Sequence, residues 1–387
     1  MIERFKKLSS NFKLIILIGI VSFFADMTYE SARSIIPQYF TYILGGSVFA
    51  LGIVIGLGDF LGYSFRSISG KISDKTKNYW GITFLGYIIN LFAVPLLALA
   101  NNYIIASILI IMERMGRATR IPPRDYIIST LGSENRIGIS FAIHNLLDQA
   151  GAVMGPLIIS LLLFRNYSYR IAFLFLGIPA IMSILFLYIS YKYSKNEKKF
   201  EKRKNIERKI QKKHLIYYFV GIGISAAGIF HVSFILYMAQ RFLAPYEVSL
   251  IFTLAMIGEG LFSFIFGIAY DKIGKGIIVI GPMIAVIIIF LVNLHYILIF
   301  MVLGFLFGAF TGINDTVTKS IVAQHVEEEN RGSAFGLLNT SYGFGLLVSG
   351  VFVGYFLNQI YIIMQYIIIA QLISIIILLK FLRMMKH

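Results

Sequence analysis

Gly70-Lys71-Ile72-Ser73-Asp74-Lys75 returns later in the chain as Gly267-Ile268-Ala269-Tyr270-Asp271-Lys272; from Gly70 to Gly267 and from Asp74 to Asp271 the offset is 197 residues. On hydropathy alone each copy sits in a short polar gap behind the second long apolar run of its half. A motif repeated at half-chain spacing between such runs implies two similar membrane-embedded halves joined in tandem. A second repeat agrees: Arg136, Gly138, Phe141, Asn145 and Gly151 correspond to Asn330, Gly332, Phe335, Asn339 and Gly345, at an offset of 194.

Composition points the same way. The 387 residues are 58% hydrophobic and 14% charged, with a mean hydropathy of +0.79. A soluble domain carries about 25% charged residues, so most of this surface faces something other than water. Many apolar runs exceed the roughly 18–20 residues that cross a bilayer. The pattern predicts an all-α membrane protein of twelve transmembrane helices in two pseudo-symmetric six-helix bundles, at 12–41, 47–69, 79–100, 102–125, 136–164, 168–193, 214–241, 245–270, 276–294, 296–323, 331–358 and 361–384. Residues 194–213 are dense in Lys, Arg and Glu and read as a cytoplasmic linker between halves 1–193 and 214–387. A cleavable signal peptide is not expected, since the first apolar run holds Asp26 and Glu30 and no small-residue cleavage site follows it.

The net charge is +16. In a soluble protein that would suggest nucleic acid. Here the basic residues gather in alternate gaps, at the linker and at both termini, whereas the gaps at 45–47, 101–102 and 293–296 hold no Lys or Arg. The positive-inside rule therefore puts both termini in the cytoplasm, in a plasma-membrane protein that has a lipid bilayer and no nucleic acid as partner. There is no cysteine, which excludes disulfides, thiolate metal sites and cysteine nucleophiles. No phosphate-binding loop, His-Glu-x-x-His or Gly-x-Ser-x-Gly motif occurs. The expectation is no enzyme, no cofactor and no metal.

These features resemble the major facilitator superfamily, whose six-plus-six layout covers the whole chain. Its motif between helices two and three matches loosely at Gly70, Asp74, Lys75 and Lys77, where the second glycine is missing. The copy after helix eight matches better, at Gly267, Asp271, Lys272, Gly274 and Lys275. The resemblance implies that Gly70, Asp74, Gly267, Asp271 and Lys272 form a cytoplasmic gate, the aspartates accepting hydrogen bonds from a neighbouring helix end. Gly151-Ala-Val-Met-Gly155-Pro156 resembles the motif of proton-coupled exporters, and the run from Glu113 to Asp125 the arginine motif of helix four, with a different Arg–Gly spacing. In the family, helices one, four, seven and ten border the central cavity.

Charges at membrane depth cost roughly 2.5–3.5 kcal/mol each on insertion scales, so they face a cavity and pair. Asp26, Glu30 and Arg33 share a face of helix one, flanked by Tyr29. Arg114, Arg117, Arg120 and Arg124 form a stripe on helix four beside Glu113, and His144 and Asp148, with Asn145, mark helix five. Asp26, Tyr29, Glu30, Arg33, Glu113, Arg114, Arg117, His144, Asn145 and Asp148 are the candidate substrate and proton sites. Pairs of the Asp59–Arg66 type read as fixed salt bridges, His231 as a satisfied histidine, and Asp315–Lys319 as a salt-bridged gate. Glu259, Asn314, Asn339 and Tyr342 complete the polar candidates of the second half. The function expected is proton-coupled export of a small organic solute by a monomer. The rivals are proton-coupled uptake of an organic anion at the helix-four arginines, and a non-transporting scaffold or channel.

Overall fold

The computed structural model describes residues 10–131, 137–194, 212–294, 296–326 and 328–385. Most of the basic linker expected at 194–213, and Arg136 of the second repeat, lie outside them. Among the described residues every regular element is helical. In chain order the helices are α1 (Ser10–Gln38, with a wider π-turn at Tyr39–Ile43), α2 (Val48–Thr76), α3 (Tyr79–Leu96), α4 (Tyr103–Leu131), α5 (Ile137–Phe164) and α6 (Tyr169–Ser194). Then follow α7 (Lys212–Ala227, resuming at Val232–Ala239), α8 (Pro245–Ile273), α9 (Ile280–Leu291), α10 (Ile297–His325), α11 (Glu328–Phe356) and α12 (Ile360–Met384).

Ten of these are long and apolar enough to cross a membrane. The other two are α9, whose apolar stretch Lys275–Leu291 is short, and α4, 29 residues long but crowded with charge from Glu113 to Asp125. Polar residues in the gaps start the helices, as orphan N–H groups require. Ser47 accepts from Ala50, Asn78 from Gly81, and Asn102 from Ile104 and Ile105, while the Glu247 carboxylate reaches back to the Ala244 N–H.

One expectation is corrected. The repeated motif does not lie in polar gaps: both copies form the last turns of helices, Gly70–Lys75 in α2 and Gly267–Lys272 in α8. Each helix ends one step later on a left-handed residue, Lys77 (φ 56°) and Gly274 (φ 86°), again 197 positions apart. Both stops use a positive φ, but ψ differs, 10° at Lys77 and −165° at Gly274, so glycine meets it in one half and a strained lysine in the other.

Buried apolar side chains fall into one large cluster drawn from residues after 214, with Ala152 the exception, and two clusters drawn from residues before 190. Between these cores, α2 lies along α11 and α5 along α8. The first contact is made of glycine. A Cβ at Gly56 would stand 2.9 Å from the Leu347 Cα, and Gly350 and Gly354 pack on Gly52. Small residues let backbones meet where lipid supplies no hydrophobic drive. Large apolar side chains such as Phe264, Leu161 and Ile376 cover the outside, as a lipid-facing surface requires.

Candidate functional site

Successive helices run antiparallel, so Ser10 and Met384 mark one end of the bundle, here the near end. The connections at 44–47, 100–102, 165–168, 240–244 and 357–359 mark the far end. Between the cores lies a chamber with a cavity volume of about 120 Å³. From the N-terminal side it is lined by Glu30 and Arg33 (α1), Asp59, Tyr63 and Arg66 (α2), and Arg114 and Arg117 (α4). Across from them stand His231 (α7), Phe252, Met256 and Glu259 (α8), Phe307, Thr311 and Asp315 (α10), and Tyr342 and Leu346 (α11).

The far end is sealed. Besides the α2–α11 glycine contact, Ser160 donates to the Tyr246 carbonyl (2.8 Å), Ser249 to the Pro156 carbonyl (2.9 Å), and Ser34 meets Ser249 at 2.9 Å. Gly155 packs on the α1 backbone at Met27. Toward the near end, exposure climbs. The Glu30 and Asp59 side chains are 6% and 7% exposed, Arg117 27%, and Asp315 and Lys319 47% and 45%. The chamber therefore opens toward the termini.

Its charges are paired both within and between helices. Arg33 Nη1 holds Glu30 (2.8 Å) while Nη2 leans on Glu113 (3.6 Å). Arg114 bridges Asp59 (2.8 Å) and Glu113 (3.3 Å), and Asn90 donates to the same Glu113 side chain. Arg117 reaches Glu30 only at 3.7 Å. One charge sits behind these: Arg120, fully buried, lies over the Tyr87 ring at 4.3 Å and the Tyr29 ring at 5.5 Å, with Asp26 at 3.7 Å. Tyr29 takes Arg117 and Arg33 at its ring as well, at 4.6 and 4.9 Å. Three guanidinium groups around one ring form a cation–π hub.

The two halves meet at His231. Helix α7 breaks just before it, and His231 restarts the helix by accepting the Ser233 N–H on Nδ1 (3.2 Å). In the neutral ring the proton then belongs on Nε2, and Nε2 points across the chamber at Asp59, 3.6 Å away. On the opposite wall, Asp315 occupies a π-turn of α10 (Asn314–Thr318), a widening common at functional sites.

The sequence-derived residues thus divide. Glu30, Arg33, Arg114 and Arg117 line the chamber, and Glu113 ties two of those arginines together. Asp26 and Tyr29 form a buried layer behind it. His144 is buried against Ser22 (2.8 Å), Asn145 is exposed beside it, and Asp148 is half-buried on the same helix, outside the lining. In the gate, Asp74 accepts from Tyr79 of its own half (3.1 Å), while Asp271 and Lys272 are exposed at the near end, as Gly70 is half-buried there. Asp315 and Lys319 pair at 3.1 Å. Asp59 pairs with Arg114 rather than with Arg66, which instead stacks on Tyr63 (4.5 Å). Some of the lining groups outside the candidate set could be found from the repeat. The 197-residue offset carries Asp59 and Gly62 of α2 onto Met256 and Glu259 of α8, and all four line the chamber.

Ten lipid-grade helices around a two-sided polar chamber define a multi-pass membrane protein. Comparison with known proteins narrows this. The model of the Major Facilitator Superfamily matches residues 18–242 and again 218–386. The uncharacterized MFS-type transporter MJ1317 of Methanocaldococcus jannaschii is 30% identical over 368 residues, covering 91% of this chain and 90% of that protein. The uncharacterized protein Rv2265 of Mycobacterium tuberculosis is 26% identical, covering 89% and 87%. Among solved structures, nucleoside transporter NupG superposes with a TM-score of 0.71 at 16% identity, covering 97% of this chain and 99% of that one. A peptide transporter POT in complex with sulfate gives 0.78 at 12% identity, covering 97% and 94%. The chain belongs to the Major Facilitator Superfamily.

Proposed function

We propose that this protein is a secondary active transporter that moves a small organic solute across the plasma membrane by alternating access, exporting it in exchange for protons. The observation that carries the reading is a chamber of paired charges, shared by both halves, sealed at one end and open at the other. All twelve helices cross the membrane in this reading, α4 by turning its charges inward and α9 as a short span. Residues 1–193 and 214–387 are the two rocking lobes of a monomer, 194–213 is their tether, and the near end faces the cytoplasm.

Glu30 is the proton site. It lies on the chamber wall between Arg33 and Arg117, so protonating it frees two guanidinium groups and deprotonating it recaptures them. Solute and proton then compete for the same arginines. Asp26 and Asp148, with His144, hold the charge balance behind Tyr29 and Arg120, and Asn145 stands at the exposed edge beside them. Asp74 and Asp271 latch the near end when the lobes rock. Export is favoured by the Gly151–Pro156 segment, which packs on α1 and gives its Pro156 carbonyl to the far-end seal.

Proteoliposomes test this. Uphill movement of a solute driven by a pH gradient and collapsed by a protonophore is the expected result. Glu30→Gln is expected to abolish uphill movement while leaving solute exchange measurable. Downhill flux alone, or unchanged uphill transport in Glu30→Gln, would refute the coupling.

A further inference from the structure

Two chamber charges stand apart from the paired set. Among the described residues, Arg66 on α2 has no carboxylate within ion-pair distance; its guanidinium lies on the Tyr63 ring at 4.5 Å, and its Nε is buried without a hydrogen-bond partner. Nearby Asp315 is engaged with Lys319 at 3.1 Å. Among the same residues, Glu259 on α8 has no cation within ion-pair distance, and its carboxylate is met by the Thr311 hydroxyl at 3.2 Å. Both line the chamber, one on each half. An unpaired charge held in a membrane protein is expensive and is retained for a partner. An open cation on one wall and an open anion on the other match a ligand that carries both signs. On the sealed side of both charges the wall carries apolar groups: Phe252, Met256 and Leu346.

We infer that the transported solute is a small zwitterion with an apolar body, its carboxylate taken by Arg66 and its ammonium by Glu259. This rests on the transport reading above. It adds that the solute bridges the two lobes, so each charge reports on one lobe. A guanidinium takes a carboxylate in a two-pronged contact that lysine cannot copy, whereas a single carboxylate suffices for an ammonium.

The test is binding to the purified full-length protein, with L-phenylalanine and L-leucyl-L-leucine as probes, each compared with its amide and its N-acetyl form. At least one zwitterion is expected to raise the unfolding temperature and to bind at least tenfold more tightly than either blocked form. Arg66→Gln is expected to erase the preference for zwitterion over amide and Glu259→Gln the preference over the N-acetyl form, each leaving the other preference in place. Arg66→Lys is expected to recover it only in part, which separates recognition from misfolding. Failure of both zwitterions, or blocked forms that bind equally well, overturns the assignment. Selective binding without uphill transport in proteoliposomes sinks the transport reading and leaves the zwitterion site standing. Uphill transport of an uncharged solute with no zwitterion binding does the reverse.

Discussion

Replacing Gly56 by alanine loads the far-end seal and nothing else in the chamber. The added Cβ lands 2.9 Å from the Leu347 Cα, 3.1 Å from the Leu347 carbonyl oxygen and 3.2 Å from the Leu346 carbonyl oxygen. All three are backbone atoms, so no rotamer change relieves them, and contact near the optimum of about 3.5–4.0 Å requires α2 and α11 to part by up to about 1 Å. Overpacking of this kind costs about 1–3 kcal/mol. The helix-propensity gain of about 1 kcal/mol for Gly→Ala applies to sealed and unsealed states alike and cancels. The population with the far end open should therefore rise about 5- to 150-fold. The chain contains no cysteine, so a single Ser249→Cys is a clean reporter. Ser249 is fully buried in the seal, and a hydrophilic maleimide reaches it only when the seal parts. In lipid nanodiscs, Gly56→Ala should accelerate labelling by that factor with helix content unchanged. An unchanged labelling rate in folded Gly56→Ala protein would show that the glycine contact does not hold the far end shut.

Three further outcomes are expected. Arg120→Met, similar in length but uncharged, leaves Asp26 buried without its cation and Tyr87 without its stacked partner, and should cost about 3–5 kcal/mol of thermal-unfolding stability, whereas Arg120→Met with Asp26→Asn should recover most of it. Asp59→Asn removes the acid shared by Arg114 and His231 and should lower solute flux at least tenfold; His231→Gln, which keeps a donor toward Asp59, should lower it less, as vesicle assays can measure. Lys77→Gly should raise stability by about 1 kcal/mol by relieving a left-handed non-glycine residue, and Gly274→Ala should lower it by a similar amount, both read from unfolding midpoints in the same detergent.

Much of this was legible in the sequence because lipid imposes simple rules. Apolar runs of bilayer length had to be helices, and many predicted limits fall within a few residues of those seen, as at 79–100 against Tyr79–Leu99, while α2 and α4 run on past the predicted 69 and 125 to Thr76 and Leu131. The repeats reported the tandem layout because equivalent backbone positions, Lys77 and Gly274, stop equivalent helices. The polar gap assigned to Gly70–Lys75 was misread because a helix emerging from lipid continues in water, where Lys71, Asp74 and Lys75 are good surface residues. Spacing along α1 and α4 identified Glu30, Arg33, Arg114 and Arg117, since side chains three or four apart share a face. It did not reveal that Arg66 prefers Tyr63 to Asp59, nor that His231 restarts a broken helix. Those facts depend on rotation about each helix axis and on neighbours from distant segments.

The interruption of α7 is fastened with unusual care. Its freed carbonyls at Ser225 and Gly228 take the Gln371 amide, at 2.9 and 2.7 Å; Ala227 takes the Tyr366 hydroxyl and Ile229 the Ser349 hydroxyl. Every one of those donors comes from α11 or α12, and every one grips the stretch before His231. The segment Val232–Ala239 beyond it is outside that grip and extends toward Thr41, which Gln240 approaches at 3.4 Å. One helix is thus divided into an anchored root and an outer arm, with the imidazole at the joint. A tilt of the arm moves the Asp59 contact while the root's hydrogen bonds stay intact, so a motion of a few ångströms at the joint needs no unfolding within the C-terminal half.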